Sequence, residues 1–212
     1  MLRDTAVARI QQKLGFKTTQ ADEIITAIQD AQIKLELRDE LPWFLRTEIA
    51  SASTVVDEER LAVPTDFIRE VEESALFIFD ATATDPEDEW VALEKGESDT
   101  LRVDFPGTGT PQAYSLDGPY FRLFKTPDAV YTMKMVYYKQ DTILTSNIEN
   151  DWLKYIPFLL IGKAGMDFAQ DLRDANALAF FTEMFIENDD LFSRHNIARR
   201  VANREYLIGG AD

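Results

Sequence analysis

The stretch PYFRLFKTPDAVYTMKMVYYKQDTILT, residues 119–145, carries the sharpest pattern in the chain. Alternate residues of its second half fall on one face of a β-strand: Tyr131, Met133, Met135 and Tyr137. The opposite face carries Thr132, Lys134, Val136 and Tyr138, and we expect this strand to be covered on both sides. Residues 125–129 contain Pro and Asp, which favour a turn after the preceding apolar run. The stretch therefore predicts two antiparallel strands paired as a hairpin.

The chain from about residue 46 to residue 138 is typical of a β region. Short strands are predicted at residues 47–54, 74–79, 90–93, 101–105 and 112–116. Turn-forming segments separate them: ATATDPEDE, KGESD and PGTGTP. Within the region, LAVPTDFIREV (residues 61–71) predicts a strand end, a turn at Pro64 and a short helical turn that begins at Thr65 or Asp66.

Helical patterns precede the β region. Residues 2–14 predict a short helix that ends at Gly15, and Thr19 followed by Asp22 predicts the capped start of a second helix. We expect the second helix to end at Leu41, because the residue before Pro42 is pushed out of the α region. Four apolar residues form its predicted buried seam: Ile24, Ile28, Ala31 and Leu35.

Helical patterns also follow the β region. Residues 150–172 are apolar nearly all round, which predicts one helix buried on more than one side, with Pro157 tolerated near its start. A last helix is predicted to begin near Asp174. Its expected apolar seam is Ala177, Phe181, Met184, Asn188, Leu191, His195, Ala198 and Ala202, beside a second stripe of Leu178, Phe185 and Phe192. Its expected solvent side carries Glu183, Glu187, Asp190 and Arg194.

These patterns predict an α+β fold in which N- and C-terminal helices form one bundle around a mostly antiparallel β insertion. The expected domains are a discontinuous helical domain (residues 1–45 plus 147–206), a β-rich insertion domain (residues 46–146) and a flexible C-terminal tail (residues 207–212). A chain of 212 residues with 45% hydrophobic content is long enough to bury a sizeable core.

Composition narrows the classes of function. The net charge of −16 argues against tight binding to nucleic acid or to anionic lipid. We expect a soluble, unprocessed chain with no membrane association, since no apolar run approaches the length of a membrane span. The absence of cysteine excludes disulfides and thiolate chemistry. Charge is uneven, because acids dominate residues 57–99 whereas the end of the chain is basic.

No catalytic or cofactor motif is found in the sequence. The single histidine, His195, lies on the predicted apolar seam and has no second histidine with which to form a metal pair. GTGTP and GKAG fail as phosphate loops, and DATATDPEDE lacks the ligand spacing of a calcium loop. Carboxylates are too numerous for any pair to be singled out as acid and base. We therefore expect no enzyme activity, no cofactor and no metal site.

Several landmarks, taken in order, make the chain resemble the head-to-tail adaptor proteins of short-tailed bacteriophages and relatives with similar necks. The resemblance covers roughly 190 residues, and none of the landmarks is a catalytic signature. They are an N-terminal helical pair, LPWFL, LAVPTDFIREV, YFRLFKTPDAVYTMKMVYYKQ, DTILT and two long C-terminal helices.

The resemblance implies a ring of about twelve copies beneath the portal, in the virion neck between capsid and tail, after synthesis in the host cytoplasm. Double-stranded DNA would pass through the ring without specific binding during packaging and ejection. Downstream tail, nozzle or fibre proteins would be the other partners. Alternatives that stay open are a carboxylate-dependent hydrolase carried in the virion and another neck protein such as a stopper.

Three sets of residues are candidates for these contacts. The candidate portal contact comprises Arg194, Arg199, Arg200 and Arg204. The candidate inter-subunit helix face comprises Trp152, Ile156, Leu159, Leu160 and Met166. The candidate contacts of the β region, with neighbouring subunits or with tail proteins, are Tyr120, Tyr137 and Tyr138.

Overall fold

A computed structural model describes residues 1–15, 20–71, 74–83 and 89–208, and the side chains of these residues apart from 50, 51 and 199–208. The chain divides into a helical unit, Met1–Leu45 with Asp141–Asp212, and a β unit, Arg46–Gln140. Helices at the two ends of the chain and sheets in the middle confirm the α+β prediction. The β unit ends six residues before the predicted limit of the insertion, 146.

The elements follow one another along the chain in this order. The helices are α1 (Arg3–Lys13), α2 (Ala21–Glu36), α3 (Ser98–Asp104), α4 (Asp151–Tyr155), α5 (Pro157–Asp171) and α6 (Ala175–Ile208), with a short 3-10 helix at Trp43–Leu45. The strands are β1 (Arg46–Ser53), β2 (Arg60–Ala62), β3 (Phe67–Glu70), β4 (Leu76–Phe79), β5 (Trp90–Ala92), β6 (Glu94–Lys95), β7 (Ala113–Asp117), β8 (Tyr120–Phe124) and β9 (Thr132–Lys139). Among the described helices, none has both the length and the apolar composition needed to cross a bilayer.

The predicted seam of α2 is confirmed, since all four of its apolar residues are buried. The helix nevertheless ends at Glu36, five residues before the predicted end at Leu41. Leu41 is itself buried. At about 100° per residue, a helix continued to Leu41 would place that side chain about 120° away from the seam, so the helix has to end earlier for Leu41 to reach the core. The predicted cap at Thr19 lies outside the described residues.

The predicted single helix over residues 150–172 is wrong, because the chain breaks it into α4 and α5 at Ile156. Ile156 has φ −139° and ψ 55°, outside the helical region. Pro157 occupies the first position of α5, where its missing N–H leaves no hydrogen bond unmade and its ring restricts the residue before it. Asn150 caps α4, its side-chain oxygen accepting a hydrogen bond from Leu153 N at 3.0 Å.

Helix α6 begins as predicted, with Asp174 Oδ1 accepting a hydrogen bond from Ala177 N at 3.1 Å. Its predicted seam is wrong in the second half, because Leu191 and His195 are exposed. That seam repeats every seven residues, and a straight helix drifts by about 20° per such repeat, so it rotates out of the core. The buried positions in that half are Phe192 and Asn196. The predicted solvent side is confirmed at all four of its charged residues.

The β unit contains two sheets that share one hydrophobic core. In the first sheet β9 is central, pairing with β1 along one edge and with β4 and β3 along the other, and β5 follows β4. The second sheet has the order β2-β8-β7-β6, with only β6 and β7 parallel among its pairs. Met133, Met135 and Tyr137 are buried on one face of β9. On the other face Val136 is buried, whereas Thr132 is exposed and Lys134 and Tyr138 are partly exposed, so the prediction of a strand covered on both sides holds there at Val136 alone.

The predicted hairpin of residues 119–145 is wrong. Strand β8 pairs with β7 and β2, whereas β9 lies in the other sheet. The hairpin that does form joins β7 to β8 through Gly118 and Pro119, with Asp117 opposite Tyr120. Gly118 has φ +59°, which suits the first central position of a tight type II′ turn. The two-residue turn therefore pairs β8 with β7, and the longer connection after β8 leads to β9 in the other sheet.

Two further predictions in the β region are wrong. Residues 101–105, expected as a strand, lie mostly in α3, where Leu101 and Phe105 are four residues apart and pack on Ala113 and Phe124. The expected helical turn after Pro64 is instead β3, which pairs with β9. The ring of Phe67 packs on Phe121 and Tyr137, and this cross-strand contact favours an extended chain.

Candidate interaction surfaces

The described residues offer no metal centre, since no group of three or more histidine, aspartate or glutamate side chains among them is arranged to hold an ion. His195 is exposed on α6 and hydrogen-bonds to nothing that the structure describes. Among the described acids of residues 57–99, Glu70 forms an ion pair with Lys95, and the Asp66 carboxylate accepts a hydrogen bond from the Tyr137 hydroxyl at 2.9 Å.

The buried carboxylates that do lie together belong to the helical unit. Glu36 Oε1 accepts hydrogen bonds from Gln32 Nε2 (3.0 Å), Trp152 Nε1 (3.0 Å) and the backbone N of Asp141 (3.2 Å). Asp141 Oδ2 accepts one from Trp152 N at 3.2 Å. Asn150 Nδ2 donates to Gln32 Oε1 at 3.0 Å. We call these five residues the polar cluster.

The polar cluster holds the irregular segment 141–150 against α2 and α4. Burial raises the pKa of Glu36, against the lowering effect of its hydrogen bonds from Gln32 and Trp152. Burial also raises the pKa of Asp141. Because three donors converge on Oε1 of Glu36, the cluster ties the segment to α2 and α4. The polar cluster was not predicted from the sequence. The pattern that indicates it is the pair Gln32 and Glu36, two polar residues one helical turn apart beside the apolar seam of α2.

The candidate inter-subunit helix face lies largely inside the chain. Trp152, Leu159 and Leu160 are buried within the helical unit, whereas Ile156 and Met166 are partly exposed. Helix α5 finds its burial partners in α2 and α6. The three buried residues therefore have no surface to offer a neighbour in this conformation.

A different set of aliphatic side chains is exposed on the helical unit. Leu37 is 72% exposed, Ile186 60%, Ile197 56% and Ile33 42%. They flank the contacts between the end of α2 and α6: Arg38 pairs with Asp189 through two hydrogen bonds of 2.6 and 3.0 Å, and Asn196 Nδ2 donates to Glu40 Oε1 at 2.9 Å. We call these four residues the α2–α6 surface. Aliphatic exposure of this kind, rimmed by polar groups, is typical of a protein contact.

The candidate portal residues all lie on α6. Arg194 is exposed and forms an ion pair with Asp190 at 2.7 Å. The side chains of Arg199, Arg200 and Arg204 lie outside the described part of the structure. Helix α6 continues to Ile208, so two of the residues predicted as tail are helical, and residues 209–212 are outside the described ranges.

The three candidate tyrosines of the β unit differ in access. Tyr137 is buried, and its hydroxyl donates to Asp66 Oδ1 at 2.9 Å. Tyr138 is partly exposed opposite Arg46. Tyr120 is exposed at the β7–β8 turn, with the guanidinium of Arg60 5.6 Å from its ring centre. In this conformation Tyr120 and Tyr138 have surface to offer a partner, whereas Tyr137 is a core residue.

The family model described as SU10 adaptor protein matches residues 2–204, nearly the whole chain. No curated protein matches the chain.

Proposed function

The chain belongs to the SU10 adaptor protein family, structural proteins of bacteriophages, and we propose that about twelve copies form a ring under the portal that joins capsid to tail. The ring would lie in the virion neck and enclose the channel for DNA packaging and ejection. The role is one of shape and contact, without catalysis or a cofactor. A stopper position lower in the neck is the alternative within the same structural class.

The observation that carries the ring is the α2–α6 surface. Its four aliphatic side chains are each at least 42% exposed, and they lie on α6 and at the end of α2, which the Arg38–Asp189 ion pair joins. Covering them against a different face of the next copy gives a head-to-tail contact, the kind that closes into a ring. Ile156 and Met166, the partly exposed members of the candidate inter-subunit helix face, are candidates for the surface of the next copy that covers the α2–α6 surface.

Charge supports passage of DNA. The chain has a net charge of −16, and many of its acids, among them Glu183, Glu187 and Asp190 on α6, face water. A lining of that sign repels phosphates and keeps the genome from adhering to the channel. We assign the portal contact to the basic end of α6, where Arg194 is exposed, and the tail-protein contact to the β unit.

Light scattering on the purified chain, alone and mixed with portal protein, tests the proposal. We expect a monomer alone and a ring in the mixture, as for a protein that assembles on a template. Leu37→Glu combined with Ile186→Glu should prevent ring formation, because two carboxylates would be buried in each contact. Val103→Glu, at an exposed position of α3, is the matched control and should assemble normally. A chain that ignores portal, or a double variant that assembles like the original, would contradict the proposal.

A further inference from the structure

The β unit contains a cavity that its own side chains do not fill. Its volume is about 760 Å³. Its apolar lining residues include Ile78, Val91, Leu93, Pro111 and Val130. This volume lies within the range of pockets that hold ligands, and the lining is mostly apolar.

An unpaired strand edge lies beside the cavity. Strand β5 pairs with β4, placing Val91 opposite Ile78, and pairs with no other described strand along its second edge. Val91 is 47% exposed and Val130 67%, so the cavity opens to solvent next to that edge. An extended peptide gains main-chain hydrogen bonds from such an edge and specificity from a pocket for every second side chain.

The charge of the cavity wall selects the chemistry of the occupant. Asp80 is one of the lining residues, and no lysine or arginine is among them. The Asp80 carboxylate accepts hydrogen bonds from Thr82 N (2.9 Å) and Thr82 Oγ1 (2.7 Å), which favour its charged form. Tyr131, another lining residue, donates its hydroxyl proton to Asp128 Oδ1 at 2.5 Å. The lining carboxylate of Asp80 and the Asp128 carboxylate bound to a lining residue, in a chain of net charge −16, favour a basic ligand.

We propose that this cavity and the free edge of β5 receive an extended segment of another protein, with a large apolar side chain in the cavity and a lysine or arginine beside Asp80. The segment adds a strand to the edge of β5 and covers the cavity. This inference rests on the proposed function, in which the β unit meets a tail protein, and it states what that partner has to carry.

Selection from a library of random heptapeptides displayed on a carrier tests the inference with the full chain as bait. Val130→Glu serves as counter-selection bait, since it places a carboxylate at the mouth of the cavity. We expect enriched peptides in which an aromatic or branched apolar residue neighbours lysine or arginine. Their affinity should fall at least tenfold in Val130→Glu, fall severalfold in Asp80→Asn, and stay unchanged in the control Val103→Glu. Exchange of the backbone amides of residues 90–92 should slow on binding.

Three results would overturn the inference. They are no enrichment over the counter-selected pool, enriched peptides without basic residues, and peptides that bind Val130→Glu as well as the original chain. Self-association that Val130→Glu abolishes would make a second copy the occupant and would also overturn it. Ring formation with portal by Val130→Glu, measured separately by light scattering, shows whether the proposed function stands when the inference fails.

Discussion

Two glycines of α5 allow it to approach α6, and replacing either with alanine tests that packing. A Cβ built on Gly165 would lie within 2.6 Å of three ring carbons of Phe181, a side chain with no exposed surface. A Cβ on Gly162 would lie 2.9 Å from the backbone N of Phe185 and 3.0 Å from its Cα. The first clash is with a side chain, whereas the second is with the backbone of the neighbouring helix.

The expected cost of Gly165→Ala is the difference between two opposing effects. Overpacking a close-packed core costs about 1 to 3 kcal/mol, and three ring atoms at such short distances place this clash at the upper end. Alanine gains about 1 kcal/mol over glycine inside a helix. We therefore expect Gly165→Ala to lower the free energy of unfolding by about 2 kcal/mol.

Urea unfolding followed by circular dichroism of the helices measures the effect. In a chain that already carries Phe181→Leu, Gly165→Ala should be neutral or stabilising, because the smaller side chain leaves room for the methyl group. Gly162→Ala is the matched contrast: Phe185→Leu should not rescue it, since the clash is with backbone. Equal destabilisation by Gly165→Ala with Phe181 or Leu at position 181, or stabilisation of the unmodified chain, would refute the packing argument.

Three further predictions concern polar contacts of the helical unit. Because burial raises the pKa of Glu36, the folded chain holds that proton more tightly than the unfolded chain, and this contribution to the free energy of unfolding falls as pH rises between the two pKa values. The difference in free energy of unfolding between Glu36→Gln and the unmodified chain should therefore shift in favour of the variant as pH rises above 4.5, the ordinary pKa of this carboxyl group; a difference independent of pH would contradict this. Asn150→Ala removes the cap of α4 and the donor to Gln32, so we expect it to cost about 2 kcal/mol in urea unfolding. Asn150→Ser keeps an uncharged oxygen that can cap α4 and should cost less, and equal losses would show that the cap contributes nothing. A double-mutant cycle on Arg38 and Asp189, both partly exposed, should give a coupling of about 0.5 to 1 kcal/mol that weakens in high salt; a coupling unchanged by salt would argue against an ion pair.

The sequence predicted the elements whose signal is local. The seam of α2, the buried face of β9 and the start of α6 near Asp174 follow from periodicity, which neighbouring residues decide. Pairing of β8 was mispredicted because Gly118 followed by Pro119 is a stronger hairpin signal than the longer connection after Phe124. Sequence spacing alone does not show which of two adjacent turns joins a strand to its partner in a hairpin.

The candidate surfaces were harder to predict than the fold. Residues 150–172 are apolar all round, but periodicity does not distinguish burial inside one chain from burial between chains. Trp152 and Leu159 turn out to be buried within the chain, while Leu37, which carries no pattern of its own, is the most exposed member of the α2–α6 surface. The polar cluster joins residues more than a hundred positions apart, beyond the reach of any local pattern.

The first and last strands of the β unit are hydrogen-bonded neighbours, with Arg46 opposite Tyr138. Chain entry and chain exit therefore lie about 5 Å apart, the spacing of paired strands. A gap that small can be bridged by a tight turn, so a short turn in place of the β unit would reconnect the two parts of the helical unit. Genetic exchange at this junction would replace the two sheets as one piece while the sequence of the helical unit stays the same.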